Sequence, residues 1–275
     1  MASALRSLWH NHNLMLTVLT YTSSIPAQHT VVPPLTSCRI FTTALSQRNC
    51  GACAAFAAST LVSMQSCLYH NDDFIPSPFR LFDCSNSTCT SGLSITKAAA
   101  IVNFGVGDIA MSERVYGLPC DLQAEHRRPK IIVSGLKIED ALQIKTAILW
   151  FGPLIGSMKM PDGRNPETGV YFAATSQPGE DDETSTTHAM VLVGWDENNN
   201  WIVQNSWGNR WGDGMGRGRI APDLLLSATD PSVLMIFRIY VGILYLCLAC
   251  LFLSCLQAQN MQRRNNQDDS CCSSV

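Results

Sequence analysis

Residues 46–56 have the sequence SQRNCGACAAF, which joins a loop, a thiol and the start of an apolar run. The run 54–68 that follows Cys53 contains neither glycine nor proline. This composition predicts a helix that begins beside the thiol. The positive end of a helix macrodipole favours the thiolate, which is the nucleophilic form of cysteine. The stretch therefore predicts a reactive cysteine at position 53.

The composition limits the classes of protein to which the chain can belong. It has 275 residues, 46% of them hydrophobic, and a net charge of −3. That length suits one sizeable domain with additional segments, and the near-neutral charge predicts no nucleic-acid partner. Twelve cysteines indicate an oxidising compartment. Seven of them lie between residues 38 and 120, so pairing would leave one thiol free. The alternative is a set of reduced cysteines in the core.

The two halves of the chain differ in their predicted secondary structure. The first half contains the helix 54–68 and a second apolar run, 95–104, that ends at a glycine and predicts a helix. The second half contains one predicted helix, 138–151, among short runs typical of strands. A helical half followed by a strand-rich half predicts an α+β fold with a cleft between the halves. The predicted strands are 131–133, 154–158, 170–172, 189–193 and 201–203.

Both termini carry patterns typical of targeting segments. Residues 1–28 have the charge, apolar patch and small residues of a secretory signal peptide; a disordered leader or a pro-segment remnant is the alternative. After a linker at 229–238, residues 239–256 contain no charge and are long enough to span a bilayer. Two arginines in the polar tail, 257–275, predict that the tail is cytosolic. The domain is then expected to be lumenal or extracellular, in the secretory or endolysosomal pathway, on a single-pass membrane anchor.

Three residues far apart in the sequence could form one catalytic site. A cysteine hydrolase needs a base for the thiol proton, a group that orients the base, and donors for the oxyanion. His188 is at the head of one apolar strand, and Asn205 is at the end of the next. Adjacent strands would bring the two side chains together. We therefore predict that Cys53, His188 and Asn205 form a nucleophilic site.

The motifs around these residues resemble those of the papain family of cysteine proteases. They are Gln47-x-x-Cys50-Gly51-Ala52-Cys53, His188-Ala189 and Asn205-Ser206-Trp207-Gly208. His188 and Asn205 follow Cys53 by 135 and 152 residues, close to the family's spacing. The resemblance covers about residues 33–226. It implies a papain-like fold with a helical half, 29–125, and a β-barrel-like half, 126–228. It also implies a monomeric endopeptidase that acts on peptides or proteins and needs no cofactor or metal.

The resemblance also implies a role for each site residue. Cys53 would be the nucleophile, and His188 its ion-pair partner, general base and then general acid. Asn205 would orient the imidazole, and Trp207 would shield their hydrogen bond from water. The Gln47 amide and the Cys53 backbone N–H would form the oxyanion hole. The expected substrate-binding residues are Ser91, Gly92, Thr187, Ala189 and Trp207.

The cysteine pattern resembles that of cathepsin B-like members. It implies the bridges Cys50–Cys89, Cys84–Cys120 and Cys38–Cys67, with Cys53 left free. No cysteine lies between Cys120 and Cys247, so the occluding loop of cathepsin B is not expected. This absence favours endopeptidase action. Asn86 begins an N-glycosylation sequon, Asn-Ser-Thr.

The sequence departs from the family pattern at several points. Ala54 stands where the family has tryptophan, and Ser91 is expected to narrow one wall of the cleft. The segment before the domain is expected to be too short for the family's long inhibitory pro-segment. These departures keep two alternatives open. One is a pseudoprotease that binds peptides or partners without cleaving them. The other is an acyl transferase that forms the same thioester but passes the acyl group to another acceptor.

Overall fold

The computed structural model describes residues 25–33, 38–109, 114–120, 133–161, 163–172 and 187–231. The predicted transmembrane helix 239–256, the tail 257–275 and most of the predicted leader lie outside these ranges. Within them, no helix is both long and apolar enough to cross a membrane.

Capping side chains set the starts of three of the four described α-helices. The side chains of Ser77, Ser94 and Asp140 each accept a hydrogen bond from a backbone N–H in the first turn. The helix predicted at 95–104 is confirmed, and the one predicted at 54–68 is confirmed with slightly wider bounds. The helices are α1 (Cys53–His70), α2 (Pro78–Asp83), α3 (Ile95–Phe104) and α4 (Ala141–Phe151), with 3-10 helices at Arg39–Phe41 and Pro222–Leu224.

The described strands form one nine-stranded sheet with the order β2-β9-β3-β6-β7-β8-β5-β4, and β1 pairs with β6. All neighbours are antiparallel except β5 and β8. Among the described strands the order is an open path and not a closed ring. The strands are β1 (His29–Thr30), β2 (Val133–Ile138), β3 (Leu154–Lys159), β4 (Gly163–Arg164), β5 (Val170–Phe172), β6 (Thr187–Trp195), β7 (Trp201–Gln204), β8 (Arg217–Ile220) and β9 (Leu225–Pro231).

Burial of α1 on almost every side brings the two halves together. Every residue from Ala54 to Cys67 is buried. Five of the first six of these residues are alanine or serine, whose small side chains allow close approach of the sheet. The core that α1 shares with the sheet includes Ile155, Val191 and Val193. This packing places the start of α1 against β6, and therefore Cys53 near the segment that begins with His188.

Several boundaries differ from the predictions, and pairing within the sheet explains each difference. The helix predicted from 138 begins at Ala141, because Ile138 pairs with Ala228 in the sheet. Of the strand predicted at 131–133, only residue 133 lies within the described ranges; it begins β2, which continues to Ile138. The domain predicted to end at 228 continues through β9, where Thr229 pairs with Ile155, so the predicted linker begins inside a strand.

The N-terminal segment also belongs to the sheet, although the sequence assigned it to a leader and a helical half. β1 pairs with the end of β6, and the Val31 N–H donates to the Val193 carbonyl at 2.9 Å. The Trp195 indole N–H donates to the Pro26 carbonyl at 3.0 Å. Pro26 lies within the predicted leader, so the described end of that segment packs on the domain.

Three disulfides hold the helical half, and they are the pairs that the resemblance implied. Their Cα–Cα distances are 6.2, 4.3 and 4.8 Å. Cys53 is the free cysteine of the described residues. The alternative of a reduced set of core cysteines is therefore not what the structure shows. The pairs are Cys38–Cys67, Cys50–Cys89 and Cys84–Cys120.

Gly212→Ala is expected to destabilise the domain more than Gly214→Ala, although both glycines lie in the turn before β8 with positive φ angles of 69° and 87°. A Cβ on Gly212 would lie 1.7 Å from the Arg217 carbonyl oxygen, whereas one on Gly214 would meet no atom within 4 Å. Backbone strain alone should cost Gly214→Ala about 1 kcal/mol. The added clash should bring Gly212→Ala to about 3 kcal/mol. Urea unfolding measures both, and equal losses would contradict the steric explanation.

Candidate active site

Cys53 is the first residue of α1 and is half-buried. The residue before it, Ala52, has no side-chain oxygen to cap the helix. The first N–H groups of a helix lack intrahelical acceptors, so the Cys53 N–H can serve a ligand. The position therefore combines a free thiol with a backbone donor.

The residues before Cys53 pack closely against the loop that follows Cys89. The Gly51 N–H donates to the Cys89 carbonyl at 2.9 Å. A Cβ on Gly51 would lie 2.7 Å from that oxygen and 3.1 Å from the Gly92 Cα, so only glycine fits here. The Ser91 N–H and the Thr88 N–H each bond the other residue's hydroxyl at 3.1 Å, which closes the loop on itself. Gly92 and Ser91 therefore form a wall on the Gly51 side of Cys53.

The hydrogen bonds of Asn205 determine which nitrogen of His188 carries a proton. The Ser206 backbone N–H donates to Asn205 Oδ1 at 2.7 Å, which identifies that atom as the amide oxygen. His188 Nε2 lies 2.9 Å from the same oxygen, so Nε2 must be the donor. The neutral imidazole then keeps Nδ1 unprotonated, ready to accept a proton. Asn205 thus orients the ring and selects its tautomer.

The ring of Trp207 covers this hydrogen-bonded pair. Its centroid lies 4.9 Å from that of His188 with an interplanar angle of 30°. His188 and Asn205 are each only 3% exposed. Excluding water strengthens the hydrogen bond between them. Thr187 before His188 is exposed, and Ala189 after it is buried.

Gln47 is held from two sides beside Cys53. Its Nε2 donates to the Cys50 carbonyl at 2.8 Å, and its Oε1 accepts from the Ser206 hydroxyl at 2.5 Å. The Gln47 N–H also donates to the Ser206 carbonyl at 2.8 Å. An amide nitrogen carries two hydrogens, so one remains for an oxyanion. The sequence prediction assigned no role to Ser206; its place between Asn205 and Trp207 was the one available signal.

Burial shifts the pKa values of the thiol and the imidazole in opposite directions. Burial raises the pKa of Cys53, although hydrogen bonds from the backbone of Ala189 and Ala54 oppose the rise. Burial lowers the pKa of His188, although the bond to Asn205 opposes the fall. The expectation that the helix start would favour the thiolate is therefore corrected, because desolvation outweighs the backbone contribution. In the unliganded site both shifts favour a neutral thiol beside a neutral imidazole.

Two other predicted features lie apart from this constellation. Asn86, the sequon residue, is exposed in the turn between Cys84 and Cys89 and has a φ of 54° that asparagine tolerates. Among the described ranges, no group of three or more histidine, cysteine, aspartate or glutamate residues could hold a metal ion.

The chain is similar to known proteins across most of the described domain. The family model described as papain family cysteine protease matches residues 35–222. The viral cathepsin of Epiphyas postvittana nucleopolyhedrovirus is 27% identical over 183 residues, which are 62% of this chain and 54% of that protein. Cathepsin R of Mus musculus is 27% identical over 187 residues, 60% of this chain and 53% of that protein. The chain thus spans about half the length of the curated relatives it matches.

Two solved structures share the fold. Digestive procathepsin L 3 of Tenebrio molitor larval midgut aligns with a TM-score of 0.55 and 20% identity, covering 75% of this chain and 70% of that one. The recombinant stem bromelain precursor aligns with a TM-score of 0.55 and 21% identity, covering 77% and 72%. These similarities show the papain-like α+β architecture.

Proposed function

Since this chain belongs to the papain family of cysteine proteases, we propose that it is an endopeptidase that hydrolyses peptide bonds through Cys53. One observation carries the proposal. A free thiol at the start of α1 meets the backbone of Ala189, next to an imidazole whose tautomer Asn205 selects. A buried histidine with only a structural role would not need a free thiol beside it.

The proposed reaction begins with a proton transfer, because the unliganded site favours the neutral pair. The Cys53 thiol gives its proton to His188 Nδ1, and the sulfur attacks the scissile carbonyl carbon. The developing oxyanion accepts hydrogen bonds from Gln47 Nε2 and the Cys53 N–H. The C–N bond breaks as His188 protonates the leaving amine. Water, deprotonated by His188, then hydrolyses the thioester and restores the thiol.

We propose that the acyl half of the substrate lies against the wall formed by Gly92 and Ser91. A glycine there leaves its backbone accessible to an extended peptide. Thr187 and Ala189 would line the opposite side, since they flank His188 at the head of β6. Trp207 would contact the leaving half, because its ring stacks on the imidazole that protonates the leaving amine.

An epoxysuccinyl-type inhibitor tests the nucleophile directly. It should label the folded protein once, and peptide mapping should find the label on Cys53. The three bridged pairs provide an internal control, because disulfide sulfurs do not react as thiolates. Failure of the folded protein to be labelled under mildly reducing conditions would contradict the proposal.

A pseudoprotease is the second candidate, and the residue behind the thiol favours it. Ala54 is only 1% exposed and fills a position at which the family has a large aromatic ring. Under this alternative the cleft binds peptides that it does not cleave. A mixed peptide library separates the two, since a pseudoprotease would retain peptides and yield no new termini.

We also propose that residues 239–256 anchor the protein in a membrane with the domain on the lumenal or extracellular side. The support is an 18-residue segment without a charged side chain. The exposed sequon at Asn86 would then be available for glycosylation. Extraction with alkaline carbonate tests the anchor, and a mobility shift lost in Asn86→Gln tests the sidedness. Release into the supernatant would contradict the anchor.

The pH profile of kcat/KM is expected to have a plateau wider than the ordinary pKa values allow. The reaction needs one proton on the Cys53–His188 pair; two protons inactivate it at low pH, and none at high pH. Burial lowers the pKa of His188 from 6.5 and raises that of Cys53 from 9.0. The acid limb should therefore lie below pH 6.5 and the alkaline limb above pH 9.0. A narrower bell between these values would contradict the expectation.

Ser206→Ala is expected to lower kcat about fivefold, because one hydrogen bond that orients Gln47 is worth about 1 kcal/mol. Gln47→Ala should lower kcat about 100-fold by removing an oxyanion donor. The double variant should be no slower than Gln47→Ala alone, since Ser206 would act through Gln47. Steady-state kinetics on one peptide measures all three. Additive losses would show that Ser206 acts independently of Gln47.

A further inference from the structure

A polar pocket of about 580 Å³ lies beside Trp207. Its lining comes from two segments, 42–46 and 207–214. An isolated β-bridge between Ser46 and Trp207 joins the segments, and the Gly208 N–H donates to the Leu45 carbonyl at 2.8 Å. The pocket is therefore built from the same backbone contacts that hold Gln47 against Ser206.

Two contacts place this pocket on the side of the leaving group. Trp207 lines the pocket and also stacks on His188, which protonates the leaving amine in the proposed reaction. Gly51 lies at the other end of the segment that begins at Ser46, and it packs against Gly92. In the proposed reaction, the peptide residues after the scissile bond would therefore extend toward Ser46, and those before it toward Gly51.

Arg210 gives the pocket a positive charge, and no acid among the described residues opposes it. It is exposed, and it is the charged residue among the lining side chains. Within the part of the chain that the structure describes, no carboxylate lies within ion-pair distance of its guanidinium. The acid of the same turn, Asp213, is already held by Arg217 at 3.1 Å and by the Met215 N–H at 2.8 Å. Thr42, Thr43 and Ser46 line the pocket from the facing segment.

We propose that this pocket binds a carboxylate of the leaving half of the substrate, with Arg210 as the residue that determines the preference. A guanidinium presents a planar fork of donors that matches a carboxylate. The carboxylate would belong to an aspartate or glutamate side chain, or to the peptide C-terminus, within three residues of the scissile bond. Three extended residues reach about 10 Å. This inference rests on the proposed endopeptidase function.

Matched pairs of internally quenched peptides test the preference. Each pair shares its acyl half and carries glutamate or glutamine at the first, second or third position after the scissile bond. A further pair ends at the same place as a free acid or an amide, which separates the two sources of the carboxylate. We expect kcat/KM to be about 3- to 5-fold higher for the carboxylate member of one pair than for its neutral match. This preference should fall as the salt concentration rises. Arg210→Gln should abolish the preference, and Arg210→Glu should reverse it.

Two controls separate the pocket from general charge effects and from catalysis. Arg219→Gln removes another exposed arginine, on β8, that does not line the pocket, and should leave the preference intact. A peptidyl coumarin amide has no amino-acid residues after the scissile bond, so the Arg210→Gln variant should hydrolyse it at the wild-type rate. Suppose the reporter is hydrolysed but the quenched peptides show no carboxylate preference, or show one that survives in the Arg210→Gln variant. Either result would overturn the carboxylate inference and leave the endopeptidase function standing. Failure to hydrolyse the reporter and every peptide would contradict the endopeptidase function itself.

Discussion

Replacing Cys53 with alanine is expected to lower kcat/KM for peptide hydrolysis about 10⁴-fold or more. Removal of a covalent nucleophile leaves only the contribution of binding and of the oxyanion donors. No neighbouring side chain can substitute for it, because the next cysteine, Cys50, is bridged to Cys89. Cleavage of a mixed peptide library by the wild type and by Cys53→Ala measures the effect and identifies the reaction by its products.

A variant that lacks a different pair of cysteines is the matched control. Replacing both Cys38 and Cys67 with alanine removes one bridge and leaves the thiol of Cys53 intact. That variant should lose about 3 kcal/mol of unfolding free energy but keep its activity below its melting temperature. It should also be labelled by an epoxysuccinyl inhibitor, whereas Cys53→Ala should not. Activity of Cys53→Ala within tenfold of the wild type would exclude Cys53 as the nucleophile.

His188→Ala is expected to lower kcat/KM at neutral pH about 10³- to 10⁴-fold. It removes the group that accepts the thiol proton and later protonates the leaving amine. Burial raises the pKa of Cys53, so without His188 few molecules would carry a thiolate at neutral pH. The rate at which an alkylating reagent inactivates the variant should therefore rise continuously with pH through the neutral range. The wild type should react across the neutral range at a rate that changes little.

Two further variants provide a comparison for the loss of activity in His188→Ala. Asn205→Ala keeps the imidazole but removes the acceptor that orients it and selects its tautomer, so we expect a loss of about 10- to 100-fold. His70→Ala removes an exposed histidine at the last residue of α1 and should leave activity unchanged. If His188→Ala were as active as His70→Ala, a different residue would have to be the base.

The secondary structure could be predicted wherever its signals are local. The helix Ile95–Phe104 has its cap at Ser94 and its end at Gly105, both adjacent in sequence, and its bounds matched the prediction. The strand Leu225–Pro231 gave no such signal. Its buried residues include Ser227 and Thr229, whose polar side chains do not form an apolar strand pattern. Only pairing with β2 and β3, distant in sequence, makes this segment a strand.

The polar pocket beside Trp207 could not be predicted from the sequence motifs. Asn205 and Trp207 belong to a recognisable motif, but Arg210 lies two residues after the end of that motif. Thr42 and Thr43 belong to no motif. These residues line one pocket because the Ser46–Trp207 bridge joins their two segments. A sequence motif specifies residue types along one segment, whereas a pocket depends on which segments meet.

The amino-acid sequence alone identified the family and the candidate catalytic residues, because Cys53, His188 and Asn205 each lie within a short motif at the family's spacing. It also determined that one cysteine of the helical half would stay free. The directions of the two pKa shifts and the tautomer of the imidazole, by contrast, follow from tertiary contacts. The pKa values depend on how far α1 and β6 bury the two side chains, and the tautomer depends on Asn205 Oδ1. Burial and hydrogen-bond direction arise from contacts between distant segments, which no local pattern encodes.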